Sequence, residues 1–220
     1  MNTRERLFAA ARRGEPDRQP LIYWPGMTDS RSDVVVLAPD PEFVAAHSAK
    51  DERPKLIEVP NPFGRAWARG IDLNAELAKD PKEGARILDE FAEAIRTMMS
   101  RCLDAGADGV LYRLHGATSV HCTPMQYGGH YLERDRELLE SVKGATLNLL
   151  FVVGDADLYL DFVSDLPAHF FGWDDRTSGI GTEQGRAMRD GAVATFDESA
   201  DLRIVHPLSS ATKVLEKPRT

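Results

Sequence analysis

The segment Leu147-Asn-Leu-Leu-Phe-Val-Val153 carries a single polar side chain in seven residues. A strand this apolar has to be covered on both faces, the situation of a strand inside a parallel sheet flanked by helices. Similar short runs recur along the chain: Pro20–Trp24, Val34–Leu37, Lys55–Val59, Asp108–Arg113, Ala168–Trp173, Ala192–Phe196 and Leu202–Val205. Between most of them lie stretches with helical periodicity. Asn2 and Glu5 have capping-box spacing ahead of Leu7, Phe8, Ala10 and Ala11, and Gly14 closes that helix. A weaker helix is expected from Pro41 to about Ala49, and Pro60–Gly64 reads as a loop. Asp80-Pro81-Lys82-Glu83 supplies a cap and a first-turn proline. The apolar positions Ile87, Leu88, Phe91, Ile95, Met98, Met99 and Leu103 then hold one face as far as Gly106. Further helices are expected from Thr123-Pro124 to about Val142, from a cap at Asp155 or Asp157 through Val163, from Thr182 to Asp190 and from Leu208 to Glu216.

Strands alternating with helices predict an α/β fold of the (β/α)8 TIM-barrel type, as one domain over residues 1–220. Such barrels typically need about 250 residues. The shorter chain, with its compressed last third, raises the expectation of an incomplete or abbreviated barrel; an open one would leave strand edges that a second copy could cover, giving a homodimer.

Composition narrows the partners. With 27 Lys and Arg against 35 Asp and Glu, the net charge is −8, so neither nucleic acid nor an anionic membrane is an expected partner. No apolar run approaches the roughly 20 residues of a membrane span, and the charged start is unlike a signal peptide. Cys102 and Cys122 lack a CxxC spacing. Both points suit a reducing, cytoplasmic setting.

In a (β/α) barrel, function sits at the carboxyl ends of the strands. That rule selects Tyr23, Trp24, Met27, Asp29 and Arg31; Tyr112, Arg113, His115, Ser119, His121 and Cys122; Phe151, Val153 and Asp155; and Trp173, Asp174, Asp175 and Arg176. Asp174 and Asp175 beside Arg176 could hold a cation, a proton or a substrate amine; equally, one Asp could cap the next helix while the other pairs with Arg176. His115, just past a strand, suits a proton donor or hydrogen-bonding residue. Arg113 could grip a carboxylate or serve in a surface ion pair. The spacing of His115, His121, Cys122 and His130 matches no zinc motif, so no metal is expected. Gly179-Ile-Gly181 is no dinucleotide fingerprint, and no phosphate-binding GK[ST] loop, GxSxG elbow or HExxH occurs.

The opening Thr3-Arg-Glu-Arg-Leu-Phe-Ala-Ala-Ala-Arg-Arg-Gly-Glu-Pro-Asp-Arg-Gln-Pro20 resembles the start of the uroporphyrinogen decarboxylase superfamily. So do Ala105–Val110, the Pro124–Val142 helix, Asn148–Gly154, and Phe171-Gly-Trp-Asp-Asp-Arg176 followed by Ser178-Gly179, in that order. The resemblance implies a (β/α) barrel, often a homodimer. It implies one of two chemistries: cofactor-free decarboxylation of a tetrapyrrole using arginines and an Asp, or corrinoid-dependent methyl transfer with zinc. At the positions of the methyltransferase zinc ligands stand Phe151 and Val153, which cannot bind metal. The decarboxylase's arginine-rich segment after the first strand is replaced by Trp24–Arg31, leaving Arg31.

The expected ligand is therefore a tetrapyrrole-like or small organic molecule at the carboxyl-terminal mouth, with no cofactor. Asp29 and Asp174 are the candidates to stabilise a developing cation, and His115 and Tyr112 to donate protons. Arg31, Arg113 and Arg176 would bind a carboxylate, with Trp24 and Trp173 lining the site. Three alternatives stay open: a non-catalytic binding protein on the same scaffold, a methyltransferase-like enzyme without the zinc ligands, and a new reaction on the His115–Cys122 loop.

Overall fold

The structure, a computed structural model, describes residues 1–24 and 29–205. Eight strands form one parallel sheet: β1 (Leu21–Tyr23), β2 (Val35–Leu37), β3 (Lys55–Pro60), β4 (Gly109–Leu114), β5 (Leu149–Val152), β6 (Phe170–Trp173), β7 (Ala192–Thr195) and β8 (Leu202–Val205). The order β1-β8-β7-β6-β5-β4-β3-β2 brings the first strand against the last. A single bridge between Ile22 and Val34 then joins β1 to β2. The barrel thus has its full set of strands, is closed but for this seam, and is abbreviated rather than short of strands. Economy is found in the connections. Among the described residues no helix links β1 to β2, and none links β7 to β8.

Alternation along the strands separates two cores. Ile22, Leu56, Leu111, Leu149, Phe170, Ala192 and Leu202 meet inside the barrel. Residues of opposite parity, such as Tyr112, Leu150, Phe171 and Val193, pack outward under the helices. The first helix, α1 (Thr3–Ala11), has the capping box read from Asn2 and Glu5. Its Leu7 and Ala10 belong to the inner core, and Arg4 bonds Asp108 just ahead of β4 at 2.6 Å. Helix α1 therefore plugs the amino-terminal end of the barrel.

Outside the sheet run α2 (Pro41–Ser48), α3 (Pro62–Trp67), α4 (Leu73–Lys79) and the long α5 (Pro81–Asp104). Asp80 accepts from the amides of Lys82 and Glu83 and starts α5 as expected. Next come α6 (Pro124–Gln126), a π-helical turn (Tyr127–Tyr131) and α7 (Leu132–Ser141), together filling the predicted 123–142 helix. The last two are α8 (Leu160–Val163) and α9 (Thr182–Arg186). Three details differ from the sequence reading. The Pro60–Gly64 segment is no loop: Asn61 accepts from the Gly64 amide and caps α3. Neither Asp155 nor Asp157 caps α8, which begins after Tyr159 without a side-chain cap; Asp157 instead accepts from Ser119. Helix α9 stops at Arg186 rather than Asp190. The predicted 208–216 helix and Met27 lie outside the described residues. Where β4 passes β5, a Cβ on Gly109 would stand 1.6 Å from the Leu147 carbonyl oxygen, so only glycine fits. No described helix is long and apolar enough to cross a membrane.

Candidate site at the mouth of the barrel

Inward-facing positions at the carboxyl ends of the strands converge on Arg113. Leu111 faces the inner core, so Arg113, two residues on in β4, projects from the same face at the mouth. Glu58 follows Leu56 in β3 by the same logic, and Arg113 Nη1 donates to its Oε1 at 2.9 Å. The guanidinium lies 5.6 Å from the centroid of the Trp24 ring, within cation–π range. Trp24 in turn packs edge-on against Phe151, with ring centroids 4.6 Å apart. The Arg113 Nε is buried and meets no acceptor among the described residues. This arginine is held on an aromatic floor with part of its donor fork unused.

A second pair closes another side. Asp174 is fully buried and takes Arg176 in bidentate fashion, Nε to Oδ1 at 3.0 Å and Nη2 to Oδ2 at 2.8 Å. The Arg176 guanidinium lies 3.5 Å over the Phe196 ring. Asp175 accepts from the Phe196 amide and so ties the end of β7 instead of capping a helix; burial pushes its carboxyl upward. Of the reading in which one Asp caps the next helix while the other pairs with Arg176, the ion pair is present and the cap is not.

His115 follows Arg113 by two residues and is buried. Its amide donates to Asn61 Oδ1 at 3.2 Å and its carbonyl accepts from Asn61 Nδ2 at 3.0 Å, so one side chain at the end of β3 clamps it from both directions. The ring rests on Gly64, where any Cβ would collide with it at 2.4 Å. Burial, with Arg113 and His121 adding to it, pulls the imidazole down to about 3. His115 is thus neutral at physiological pH.

Four predicted site residues stand elsewhere. Tyr112 faces outward and gives its hydroxyl to Asp135 of α7 at 2.7 Å. Trp173 also faces outward, donating Nε1 to the Ile180 carbonyl at 2.7 Å with its ring against Gly185. Neither reaches the mouth, because strand parity turns them to the helix layer. Asp29 and Arg31 pair with each other at 2.6 Å. Asp29 shares a groove outside β2 with Val35, Leu37, Phe43 and Arg53. Arg53 precedes β3 and donates to the Asp29 carbonyl, so this pair lies toward the amino-terminal end of the strands. Residues 29–34, the described part of the β1–β2 connection, hold no helix.

The sequence reading missed Glu58, Phe196, Asn61 and Asp135. Strict alternation from Leu56 could have found Glu58. Asp135 shares a helix face with Leu138 and Leu139, a charge on an apolar stripe that signals a buried partner. The histidines and Cys122 do not converge, and burial pushes the Cys122 thiol up to about 11. Among the described residues no three His, Cys, Asp or Glu side chains are grouped to hold a metal ion.

A family model described as uroporphyrinogen decarboxylase (URO-D) matches residues 69–193, more than half of the chain. That span contains Arg113, His115, Asp174 and Arg176, while Trp24 and Glu58 precede it. No curated protein matches the chain. Among solved structures, a methyltransferase from Methanosarcina mazei superimposes with a TM-score of 0.70 at 13% identity, covering 88% of this chain and 82% of that one. At that identity the likeness is one of fold.

Proposed function

The chain belongs to the uroporphyrinogen decarboxylase family, and on that premise we propose that its mouth binds a planar organic acid, tetrapyrrole-like or smaller, bearing few carboxylates. The observation that carries this is Arg113. Glu58 engages one terminal nitrogen, Nη1, and the buried Nε has no acceptor among the described residues, with the guanidinium over Trp24, whose ring packs on Phe151. A planar ligand would stack on the aromatic rings, with a carboxylate against the guanidinium. Arg176 over Phe196 offers the same combination, although Asp174 already occupies its donors.

Charge argues against a ligand with many carboxylates. Each arginine is already paired with one carboxylate, Glu58 or Asp174, and every added carboxylate beyond them would be desolvated without a cation of its own. Turnover would need a free acid or base. Glu58 and Asp174 are ion-paired, and burial leaves the His115 imidazole too weak a base to take a proton much above pH 3, so binding without chemistry is the better supported form of this reading.

The test is a titration of the purified protein with a dicarboxylic porphyrin, a corrinoid and benzoate, followed by thermal shift and absorbance. Saturable binding with no loss of ligand is expected, and Arg113→Gln should weaken it about 10- to 100-fold, the scale of one charge-assisted hydrogen bond. Equal affinity in the variant, or no shift with any of these ligands, would remove the proposal.

A further inference from the structure

We infer that Asp135, under the helix layer outside the barrel wall, is a positioning residue for the mouth, and that its proton is coupled through Asn61 to the backbone that carries Arg113 and His115. That the residues so placed bind a carboxylate rests on the reading above.

The connection is Asn61, which follows β3 and is fully buried. Its backbone amide donates to the Arg113 carbonyl at 2.9 Å. Its side chain makes every bond open to it. Oδ1 accepts from the amides of Gly64 at 2.9 Å and His115 at 3.2 Å. Nδ2 donates to the His115 carbonyl at 3.0 Å and to Asp135 at 3.2 Å, the latter bond shared between both carboxylate oxygens. The two amides on Oδ1 fix which way round the group stands, so Nδ2 meets Asp135 as a donor only.

Asp135 is buried and has two further donors, the hydroxyls of Tyr112 and Tyr127. Three donors turned toward it suit an ionised carboxylate. A proton on either oxygen brings an O–H into this cluster, and Asn61 Nδ2 cannot accept from it. One tyrosine hydroxyl must then turn to accept, and the bond from Asn61 weakens. Asn61 is left held by the mouth side alone, so its shift reaches His115 and the Arg113 carbonyl. With burial placing this carboxyl at about 6, the exchange occurs under ordinary conditions.

The surrounding groups keep their protons there. Tyr131 of the π-helical turn and Cys122 of the β4–α6 connection sense the Asp135 charge, and burial pushes the thiol up to about 11 and raises Tyr131, Tyr112 and Tyr127 as well. Arg134 and Arg136, on α7 itself, pair with Asp89 and Asp165. His121 packs on Phe63 and Trp67, and His130 on Tyr131.

The test follows the backbone amides of His115 and Gly116 by heteronuclear NMR in the ligand-free full chain, from about pH 8 to about 5.5. The Gly116 amide reports the His115 carbonyl. A step with its midpoint at about 6 is expected in both. Asp135→Asn should remove it, while any contribution of His121 or His130 would persist. Tyr127→Phe deletes a donor that favours the ionised form and should move the midpoint upward, which a residue that merely fills the core would not do. This variant keeps the question answerable if Asp135→Asn fails to fold. Over the same range, affinity for benzoate, whose carboxyl stays ionised, should fall roughly 5-fold on acidification, the low end of coupling between linked sites, and stay level in Asp135→Asn. No step in either amide, an undiminished step in Asp135→Asn, an unmoved midpoint in Tyr127→Phe, or benzoate bound equally at both ends of the range would overturn the inference. Benzoate that binds at no pH would count against the mouth reading instead, with the amide titration still deciding this one.

Discussion

The Asp135 carboxylate sits between the sheet and α7, accepting from the hydroxyls of Tyr112 and Tyr127 at 2.7 Å each and from Asn61 Nδ2 at 3.2 Å. Its burial outweighs these bonds and raises its pKa from 3.8 to about 6. The folded state therefore holds a proton there more tightly than the unfolded chain. Stability from this group is present below about pH 4, falls as pH rises to about 6, and is level above that. The difference is on the order of 3 kcal/mol. Denaturant unfolding at several pH values should show this slope between pH 4 and 6 in the parent and its loss in Asp135→Asn. His115 gives a companion prediction: its ring resonances should stay those of neutral imidazole from pH 8 down to 5, whereas an ordinary histidine would titrate near 6.5. At this scale the sequence revealed residue types but not their partners. Arg113, His115 and Asp174 were legible because they end strands. Tyr112 and Trp173 end strands too, and one residue of parity sends each to the opposite face.

Among the elements, those with strong local chemistry were readable. Helix α5 announces itself by Asp80, Pro81 and a long apolar stripe, and Asp80→Ala should cost about 1 kcal/mol in denaturant melts. Short α3 was hidden because Pro60 and Pro62 look like loop residues, although Asn61 between them is the cap; α4, capped by Asp72, has only seven residues to show a periodicity. The π-helical turn at Tyr127–Tyr131 adds a residue to the helix and brings the Tyr127 hydroxyl onto Asp135, an arrangement that periodicity does not disclose. Helix α9 is short, and its seat on β6 depends on Gly185, where a Cβ would lie 2.3 Å from the Trp173 ring. Gly185→Ala should therefore cost about 1–3 kcal/mol and change the tryptophan fluorescence. An unchanged spectrum with full stability would contradict that packing.

For the whole molecule, chain length alone was misleading. It raised the possibility of an incomplete or abbreviated barrel; all eight strands are present, and among the described residues neither the β1–β2 nor the β7–β8 connection holds a helix. The barrel's lower end is sealed by α1, whose Leu7 is 1% exposed. Arg6 and Arg18 both bond Asp33, which also accepts from the Leu21 amide and so fixes α1 to the base of β1. Leu7→Ala should cost about 2–5 kcal/mol, the range for a buried leucine that leaves a cavity. A cost below 1 kcal/mol would show that the plug is dispensable.

The pairing of β1 with β8 has a consequence for biogenesis. A ribosome delivers α1 and β1 ahead of the other described elements, yet β8, the strand that neighbours β1 in the ring, is among the last described residues to emerge. Until then, Ile22 and Leu7 have no completed interior to enter, and β1 touches its sequence neighbour through one bridge alone. Such long-range closure is slow and leaves strand edges exposed in the meantime. The nascent chain is thus a natural client for a holdase, and pausing translation before β8 should increase its capture.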